Sequence, residues 1–196
     1  MIVVAGPPGS GKSSAFPLAD FGVDYFNVDD VAAALNGGSY VNISPQVRQQ
    51  ANRECEEFVA EHIRNRKSFA IETTLRTHIT FRQAHRARTQ GFILIMVYVA
   101  VNSARLAIER VANRADAGGH SALGKVLRET YHLSLGHLPI AIRQFDEVFV
   151  FDNTAFAADP ILVLEASKGS MHHIPDPPPR WLKAAIKTIT ALKYEE

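Results

Sequence analysis

The sequence predicts an α/β fold in which a parallel five-stranded sheet is flanked by helices and followed by a C-terminal hairpin and helix. Short runs rich in β-branched residues alternate with stretches of helical periodicity, an order typical of parallel strands wound with helices. A glycine-rich segment, GPPGSGKS, directly follows the first of these runs. The composition is that of an ordinary globular protein, with 46% hydrophobic and 21% charged residues over 196 positions. Residues 1–196 are therefore expected to form one domain.

Five apolar runs are the predicted parallel strands: Ile2–Ala5, Asp24–Val28, Ser68–Glu72, Phe92–Ala100 and Glu147–Asp152. Helices are expected to begin near Lys12, Asp29, Pro45, His78, Ser103 and Ser121. The segment Ile161–Ile174 has two short runs on either side of Lys168-Gly169, which predicts an edge hairpin. A proline-rich spacer then leads to a final helix whose apolar face is Trp181, Leu182, Ala185, Ile186 and Ile189. Residues from about 160 to 196 thus form a C-terminal appendage.

The charge balance excludes functions that depend on a strongly basic or acidic surface. The 21 Lys and Arg residues nearly equal the 20 Asp and Glu residues, so neither nucleic acid nor a membrane is an expected partner. The longest apolar run, Phe92–Val101, is well short of the about 20 residues that span a bilayer. Cys55 is the sole cysteine, and its apolar helical neighbours predict a buried, inert thiol. Because Ile2–Ala5 is also too short for a signal segment, a cytoplasmic protein is expected.

The segment Gly6–Ser13 matches the pattern G-x-x-x-x-G-K-[ST]. The glycines of this pattern let backbone N–H groups turn inward around a phosphate, and the following helix adds its positive end. Lys12 is expected to reach the β- and γ-phosphates, and Ser13 to ligate Mg²⁺. The sequence therefore predicts a P-loop (Walker A) site for ATP or GTP with Mg²⁺. Its nucleotide-binding residues are Gly6, Pro7, Pro8, Gly9, Ser10, Gly11, Lys12, Ser13 and Ser14.

Acidic residues follow three of the shorter strands, whereas the central strand contains none. They are Asp29 and Asp30, Glu72, and Asp152. At the C-terminal ends of parallel strands they would line the ligand crevice, where a carboxylate accepts a proton from a substrate hydroxyl or holds Mg²⁺. One of Asp29 and Asp30 is also expected to cap a helix, and Asp152 to close a turn with Asn153. Glu72 lies in a run that should be buried, which predicts a ligand or a charged partner for its carboxylate.

Arginines flank a glycine-containing loop farther along the chain. Arg110 and Arg114 lie four residues apart on one predicted helix, Arg128 lies on the next, and Gly118-Gly119 lies between them. This arrangement predicts a lid, at about residues 110–128, that closes over a transferring phosphoryl group. The alternative is a solvated helix face on which the arginines pair with neighbouring glutamates. His120, at the tip of the loop, is either a ligand contact, a proton carrier or a structural loop residue.

Six segments of the sequence resemble the zeta toxin family of P-loop kinases. They are VVAGPPGSGKSS, FNVDDVA, AIETTLRT, GFILIMVYVAV, AIERVANRADAGGHSALGKVLRETYHLSL and VFVFDNT, in the family's order over about residues 2–154. Zeta toxins phosphorylate the 3′-hydroxyl of the amino sugar of UDP-N-acetylglucosamine, using ATP or GTP. The resemblance therefore implies a kinase that acts on a nucleotide sugar, and it raises an antitoxin protein as a candidate partner.

The resemblance also implies roles for individual residues. Lys12 and Ser13 match the family's phosphate and Mg²⁺ ligands, and Asp29 matches its general base. The implied lid arginines are Arg114 and Arg128, with Arg110 as a third candidate. The implied substrate-binding residues are Asp29, Glu72, Thr74, Arg76 and Thr77, with His120 from the lid loop. The chain departs from the family at Thr73, where Gly is frequent, in the spacing of the lid arginines, and after Asp159, where nothing matches.

The predicted function is an ATP- or GTP-dependent phosphotransferase whose acceptor is a small-molecule hydroxyl, with UDP-N-acetylglucosamine favoured. A GTPase switch is disfavoured because no guanine-reading N-K-x-D segment is present, and a motor or transport ATPase because the central strand carries no acid. Two alternatives stay open. One is the same chemistry on another acceptor, such as a nucleoside, an antibiotic or a polynucleotide end. The other is a nucleotide-binding interaction protein without phosphotransfer.

Overall fold

The computed structural model describes residues 1–114 and 121–192. The strands are β1 (Ile2–Ala5), β2 (Asp24–Phe26), β3 (Phe69–Thr73), β4 (Ile95–Ala100), β5 (Glu147–Asp152), β6 (Ile161–Ser167) and β7 (Ser170–His173). The helices are α1 (Lys12–Ala15), α2 (Val28–Leu35), α3 (Pro45–Arg64), α4 (Ile79–Thr89), α5 (Ala104–Arg114), α6 (Ser121–Gln144) and α7 (Lys183–Leu192). A short 3-10 helix, Leu18–Phe21, lies between α1 and β2.

The strands form one sheet in the order β2-β3-β1-β4-β5-β6-β7. The first five strands are parallel, which confirms the predicted α/β architecture, and β6 and β7 are antiparallel. The sheet therefore has seven strands rather than the predicted five, because the C-terminal hairpin joins it. β6 pairs with β5 from Ser167 opposite Glu147 to Ile161 opposite Asp152, and so covers an edge that β5 would otherwise expose.

The helices begin within one residue of the predicted positions, and α2 shows what determines its start. The Asn27 side chain accepts a hydrogen bond from the Asp29 N–H at 2.9 Å, so Asn27 is the N-terminal cap of α2. The expectation that Asp29 or Asp30 caps a helix is therefore wrong, since both lie in the first turn with exposed side chains. Because Asn27 turns the chain into the helix, β2 ends at Phe26, two residues earlier than predicted.

The main hydrophobic core packs the sheet against α3, α4, α6 and the final segment that includes α7. Its largest fully buried side chains include Phe69, Tyr98, Leu138, Phe145 and Leu182. Of the apolar face predicted for the final helix, Ala185 and Ile189 lie on α7 and are buried, and Ile186 is partly buried. Trp181 and Leu182 are buried in the same core but precede the helix, which begins at Lys183. Burying one such large apolar side chain contributes about 1.5–3 kcal/mol, so the last helix is firmly attached to the sheet.

Two further predictions concern the environment of Cys55 and the length of the apolar segments. Cys55 lies on α3 and is buried, and this burial raises the pKa of its thiol to about 11, which keeps it protonated near neutral pH. The predicted buried thiol is thereby confirmed. Across residues 1–114 and 121–192, no helix is both long and apolar enough to cross a bilayer.

Candidate functional site

The segment Gly6–Ser13 connects the end of β1 to the first turn of α1, at the C-terminal edge of the parallel strands. Gly6 has a φ of +141° and Gly11 a φ of +85°, values that residues with side chains rarely adopt. A Cβ atom at Gly6 would also overlap the Val99 carbonyl oxygen, and one at Gly11 would overlap the Asn153 side-chain amide. Both glycines are therefore required for the loop to fit between its neighbours.

Lys12, Ser13 and Glu72 meet beside this loop. Lys12 Nζ lies 3.7 Å from Glu72 Oε1, and the Ser13 hydroxyl donates a hydrogen bond to Glu72 Oε2 at 2.7 Å. Lys12 Nζ also donates to the Pro7 carbonyl oxygen at 3.3 Å. The Lys12 and Glu72 side chains are only 7% and 11% exposed, so little water screens the attraction between their charges. The charged partner predicted for Glu72 is thus Lys12.

The pairing of β3 with β1 brings Glu72 to this position. Glu72 lies opposite Val4 in the parallel register, and the Gly6 N–H donates to the Thr73 carbonyl oxygen at 3.2 Å. β3 therefore runs directly beside the strand that enters the glycine-rich loop. A carboxylate near the end of β3 is for that reason within reach of the first residues of α1.

The Glu72 and Ser13 oxygens have the chemistry that Mg²⁺ prefers, namely hard carboxylate and hydroxyl donors. They lie within hydrogen-bond distance of each other, and Ser13 is exposed. Among the residues that the structure describes, no group of three or more His, Cys, Asp or Glu side chains is suited to hold a metal ion. The residues present fit a magnesium ion that is held jointly by these oxygens and by nucleotide phosphates.

Asn153 supports the loop from the other side and was missed by sequence reasoning. Its Nδ2 donates to the Ser10 carbonyl oxygen at 2.8 Å, and its backbone N–H donates to the Ala100 carbonyl oxygen at 2.8 Å. In the sheet order, β5 lies on the opposite side of β1 from β3. The sequence predicted Asn153 only as the turn partner of Asp152, directly after a strand and at the edge where parallel sheets bind ligands.

Arg110 binds the segment that follows β5. Its guanidinium donates to the carbonyl oxygens of Asn153 at 2.8 Å and Thr154 at 3.1 Å. Asp152 closes the turn, as predicted, by accepting a hydrogen bond from the Thr154 N–H at 2.7 Å. Its other carboxylate oxygen accepts from the Trp181 indole N–H, also at 2.7 Å. Arg110 therefore stabilises the loop that contacts Ser10, a role that its helical spacing does not indicate.

Of the other predicted lid residues, only Arg128 has a side chain within the described part of the chain. α5 ends at Arg114, whose side chain lies outside the described residues, as do Gly118-Gly119 and His120. Arg128 lies on α6 and faces a groove between α6 and the final segment of the chain. This α6–α7 groove is lined by Arg128, Leu135, Pro139, Ile140, Arg180 and Trp181, among others. None of residues 6–14 lines this groove.

Asp29 and Asp30 follow β2, one strand beyond Glu72 in the sheet order. The Asp29 side chain is 69% exposed, and its Oδ1 lies 3.9 Å from Arg48 Nη1, so that ion pair is screened by solvent. Asp30 Oδ1 accepts a hydrogen bond from the Tyr40 hydroxyl at 2.9 Å, which raises the pKa of that phenol. Both carboxylates are exposed, and the Asp30 carboxylate is the one bound by the Tyr40 hydroxyl.

The turn after β3 is held by several contacts. Leu75 is fully buried with a φ of +54°, and its N–H donates to Thr73 Oγ1 at 3.1 Å. The Thr80 hydroxyl donates to the same oxygen at 3.3 Å, and the Leu75 carbonyl oxygen lies 2.8 Å from His137 Nδ1. Thr73, the departure from the zeta pattern, thus has a structural role. Of the predicted substrate-side residues on this turn, Thr74 is half-buried and Arg76 and Thr77 are exposed.

Three solved structures illustrate what this chain is similar to. The structure from the PezAT chromosomal toxin-antitoxin system of Streptococcus pneumoniae is 13% identical, with a TM-score of 0.60, and the match covers 98% of this chain and 86% of that one. A kinase candidate from Chloroflexus aurantiacus is 18% identical, with a TM-score of 0.52 and coverage of 65% and 76%. Shikimate kinase from Acinetobacter baumannii is 14% identical, with a TM-score of 0.48 and coverage of 100% and 93%. A comparison with curated proteins found no match.

At these identities the first two likenesses establish the fold and leave the substrate open. The family comparison is more direct, because residues 1–134 match the model of an AAA domain, AAA_33. The matched region contains the P-loop, Glu72, the strands β1 to β4 and part of α6. Covering more than half of the sequence, it shows that the chain belongs to the AAA_33 family of AAA domains.

Proposed function

We propose that this chain is a small-molecule kinase that transfers the γ-phosphoryl group of ATP or GTP to a hydroxyl group. The observation that carries the proposal is that Lys12 and Ser13 converge on Glu72, while Asp29 lies exposed at the end of a neighbouring strand. Phosphoryl transfer needs groups that hold the phosphates. It also needs a general base, such as a carboxylate, that can accept the proton of the acceptor hydroxyl. A nucleotide-binding interaction module needs only the first set.

The nucleotide is proposed to bind along Gly6–Ser14, with Lys12 contacting the β- and γ-phosphates. Lys12 and Ser13 both contact Glu72. Nucleotide binding would exchange those contacts for phosphate contacts, and it would leave Ser13 and Glu72 to hold Mg²⁺. When bound, Mg²⁺ supplies positive charge that neutralises the transferring phosphoryl group.

The acceptor is proposed to bind on the β2 and β3 side of the P-loop. Asp29 orients the acceptor hydroxyl and accepts its proton. The proposed acceptor contacts are Glu72, Thr74, Arg76 and Thr77, with His120 from the lid. Arg114 and Arg128 are the proposed lid arginines that stabilise the transferring phosphoryl group, whereas Arg110, already bound to carbonyl oxygens after β5, is proposed to support the loop.

UDP-N-acetylglucosamine is the acceptor that we propose first. The support is the sequence resemblance to zeta toxins over about residues 2–154 and the fold shared with a protein from a toxin-antitoxin system. An antitoxin protein is the corresponding proposed partner, and the cytoplasm, where nucleotide sugars and ATP occur together, is the proposed location. A kinase of another hydroxyl acceptor is the second candidate.

The test is release of ADP from ATP and Mg²⁺ with a panel of acceptors led by UDP-N-acetylglucosamine. The panel also contains UDP-glucose, nucleosides, an aminoglycoside and a 5′-hydroxyl oligonucleotide. Asp29→Asn should lower the acceptor-stimulated rate by about 10²-fold or more, as expected for loss of a general base, and leave ATP affinity within about twofold. Asp30→Asn is the matched control, because Asp30 is the adjacent acid and binds Tyr40; it should keep most of the rate.

The outcomes separate the candidate functions. Stimulation by UDP-N-acetylglucosamine that Asp29→Asn abolishes would support the full proposal. Stimulation by another acceptor, with the same dependence on Asp29, would keep the kinase and replace the substrate. If no acceptor stimulates release and both variants behave like the parent protein, the kinase proposal fails and the chain is a nucleotide-binding module.

A further inference from the structure

The turn after β3 has a backbone conformation that its sequence does not favour. Leu75 has a φ of +54° and is fully buried. A residue with a Cβ atom rarely adopts a positive φ, and glycine is the residue that usually occupies this region. The surrounding structure must therefore hold Leu75 in this conformation. Backbone outliers that are held in this way are concentrated at functional sites.

The N–H side of Leu75 is held by residues that are close in sequence. Its N–H donates to Thr73 Oγ1 at 3.1 Å, and the Thr80 hydroxyl donates to the same oxygen at 3.3 Å. Thr80 is only 4% exposed, so little water competes for these hydrogen bonds. This part of the turn is therefore determined locally.

The carbonyl side of Leu75 is held by His137, which lies on α6 and is 62 positions away in sequence. His137 Nδ1 lies 2.8 Å from the Leu75 carbonyl oxygen, and because a carbonyl oxygen only accepts, Nδ1 carries the proton. The His137 ring packs against His78 and Phe81, with ring centroids 4.6 Å and 5.7 Å apart. The half-buried ring is thus fixed by its neighbours as well as by its hydrogen bond.

The turn lies between the two parts of the proposed kinase site. Glu72, on β3, is held beside the P-loop by the pairing of β3 with β1. Thr74 and Arg76, two of the proposed acceptor contacts, are the residues on either side of Leu75. The φ of Leu75 therefore sets the direction in which the chain continues from Thr74 to Arg76. A change of φ would move Arg76 relative to Glu72, which pairing with β1 keeps in place.

We propose that His137 is a positioning residue, which holds the turn at residues 73–77 in the conformation that binds the acceptor. The inference rests on the proposed function, because it takes the acceptor to bind at this turn. His137 acts through the Leu75 carbonyl oxygen. Its loss should weaken acceptor binding and spare nucleotide binding, which depends on the glycine-rich loop and on the supports of that loop.

His137→Leu removes the donor and keeps an apolar side chain against Phe81. The KM for UDP-N-acetylglucosamine, or for the panel member that stimulates the parent protein, should rise about tenfold. The kcat at saturating acceptor and the ATP Kd should each stay within about twofold. His137→Asn should restore the KM to within about threefold, because its amide N–H is as many bonds from Cα as Nδ1–H is. His132→Leu, at an exposed position on the same helix, is the control.

Hydrogen exchange tests the position of the turn without turnover. In His137→Leu, the backbone amides of residues 73–80 should exchange about tenfold faster than in the parent protein, and those of residues 1–14 should be unchanged. His137→Asn should exchange like the parent. Thr73→Val removes the oxygen that accepts from the Leu75 N–H, and it should reproduce both the faster exchange and the higher KM. It also provides the test if circular dichroism shows that His137→Leu does not fold.

The outcomes separate this inference from the proposed function. If an acceptor stimulates the parent protein but His137→Leu keeps its KM and its slow exchange, the positioning role is wrong and the kinase proposal stands. The role is also wrong if His137→Asn is as impaired as His137→Leu, or if the ATP Kd rises as much as the acceptor KM. If no acceptor stimulates the parent protein, the kinase proposal fails, and the acceptor-positioning role of His137 fails with it.

Discussion

On the β3 side, the phosphate-binding loop faces a carboxylate, whereas on the β5 side it faces an amide and an arginine that bind backbone carbonyl oxygens. Glu72 contacts Lys12 and Ser13, the side chains proposed to bind phosphate and metal. The Asn153 side chain donates to the backbone of Ser10, and Arg110 holds the segment after β5. The β3 side therefore places a negative charge beside the side chains proposed to bind phosphate and metal, whereas the β5 side supports the shape of the loop.

This difference predicts different failures on the two sides. A substitution on the β3 side should affect turnover, because it changes the electrostatics around the transferring group. A substitution on the β5 side should affect nucleotide affinity or stability, because it loosens a loop whose backbone must be arranged before the phosphates bind. Separate measurements of kcat, nucleotide Kd and unfolding free energy distinguish the two.

Glu72→Gln should have the largest effect. The substitution keeps the size of the side chain and removes the negative charge beside Lys12, so kcat should fall about 10²–10³-fold. ATP affinity without Mg²⁺ should hold or increase, since a competing anion next to Lys12 is gone. Steady-state kinetics and a Mg²⁺-free nucleotide titration measure the two quantities. An unchanged kcat would remove Glu72 from the proposed machinery.

Asn153→Ala should have an intermediate effect, confined to binding. Loss of the hydrogen bond to the Ser10 carbonyl oxygen should cost about 1 kcal/mol, which corresponds to about fivefold in nucleotide Kd. At saturating ATP, kcat should stay within about twofold. Calorimetry with a non-hydrolysable ATP analogue measures this, and Asn102→Ala, at an exposed position, is the matched control. A large loss of kcat with an unchanged Kd would contradict the division between the two sides.

Trp181→Phe should have the smallest functional effect. Phenylalanine preserves much of the packing but cannot donate the indole hydrogen bond to Asp152. The free energy of unfolding should fall by about 1 kcal/mol, while nucleotide Kd should change less than twofold because Asn153 still binds Ser10. Urea unfolding tests this, with an altered midpoint and an unchanged slope expected. A change in Kd as large as that of Asn153→Ala would show that the two sites are more tightly coupled than the contacts indicate.

The β3 side could be predicted from sequence to a greater extent than the β5 side. A carboxylate in a buried apolar run requires a partner, and parallel topology brings strand ends to one edge, so Glu72 was expected near the site. The contact of Asn153 with Ser10 joins residues 143 positions apart, and no local pattern encodes it. Helical spacing likewise predicted a shared face for Arg110 and Arg114 but could not reveal that Arg110 binds carbonyl oxygens after β5. The hairpin was predicted, yet its inclusion in the sheet depends on pairing with β5.

The family match and the folding unit have different boundaries. The match stops at residue 134, inside α6, yet Asn153 and the Asp152–Trp181 hydrogen bond lie beyond that point. A fragment cut there would keep every motif residue of the P-loop and lose the strand that supports it. A cut near residue 160 would spare β5 but strip its edge of β6 and remove the indole donor to Asp152. The shortest fragment expected to keep the contacts that support the glycine-rich loop is therefore longer than the family match, and it extends through Trp181.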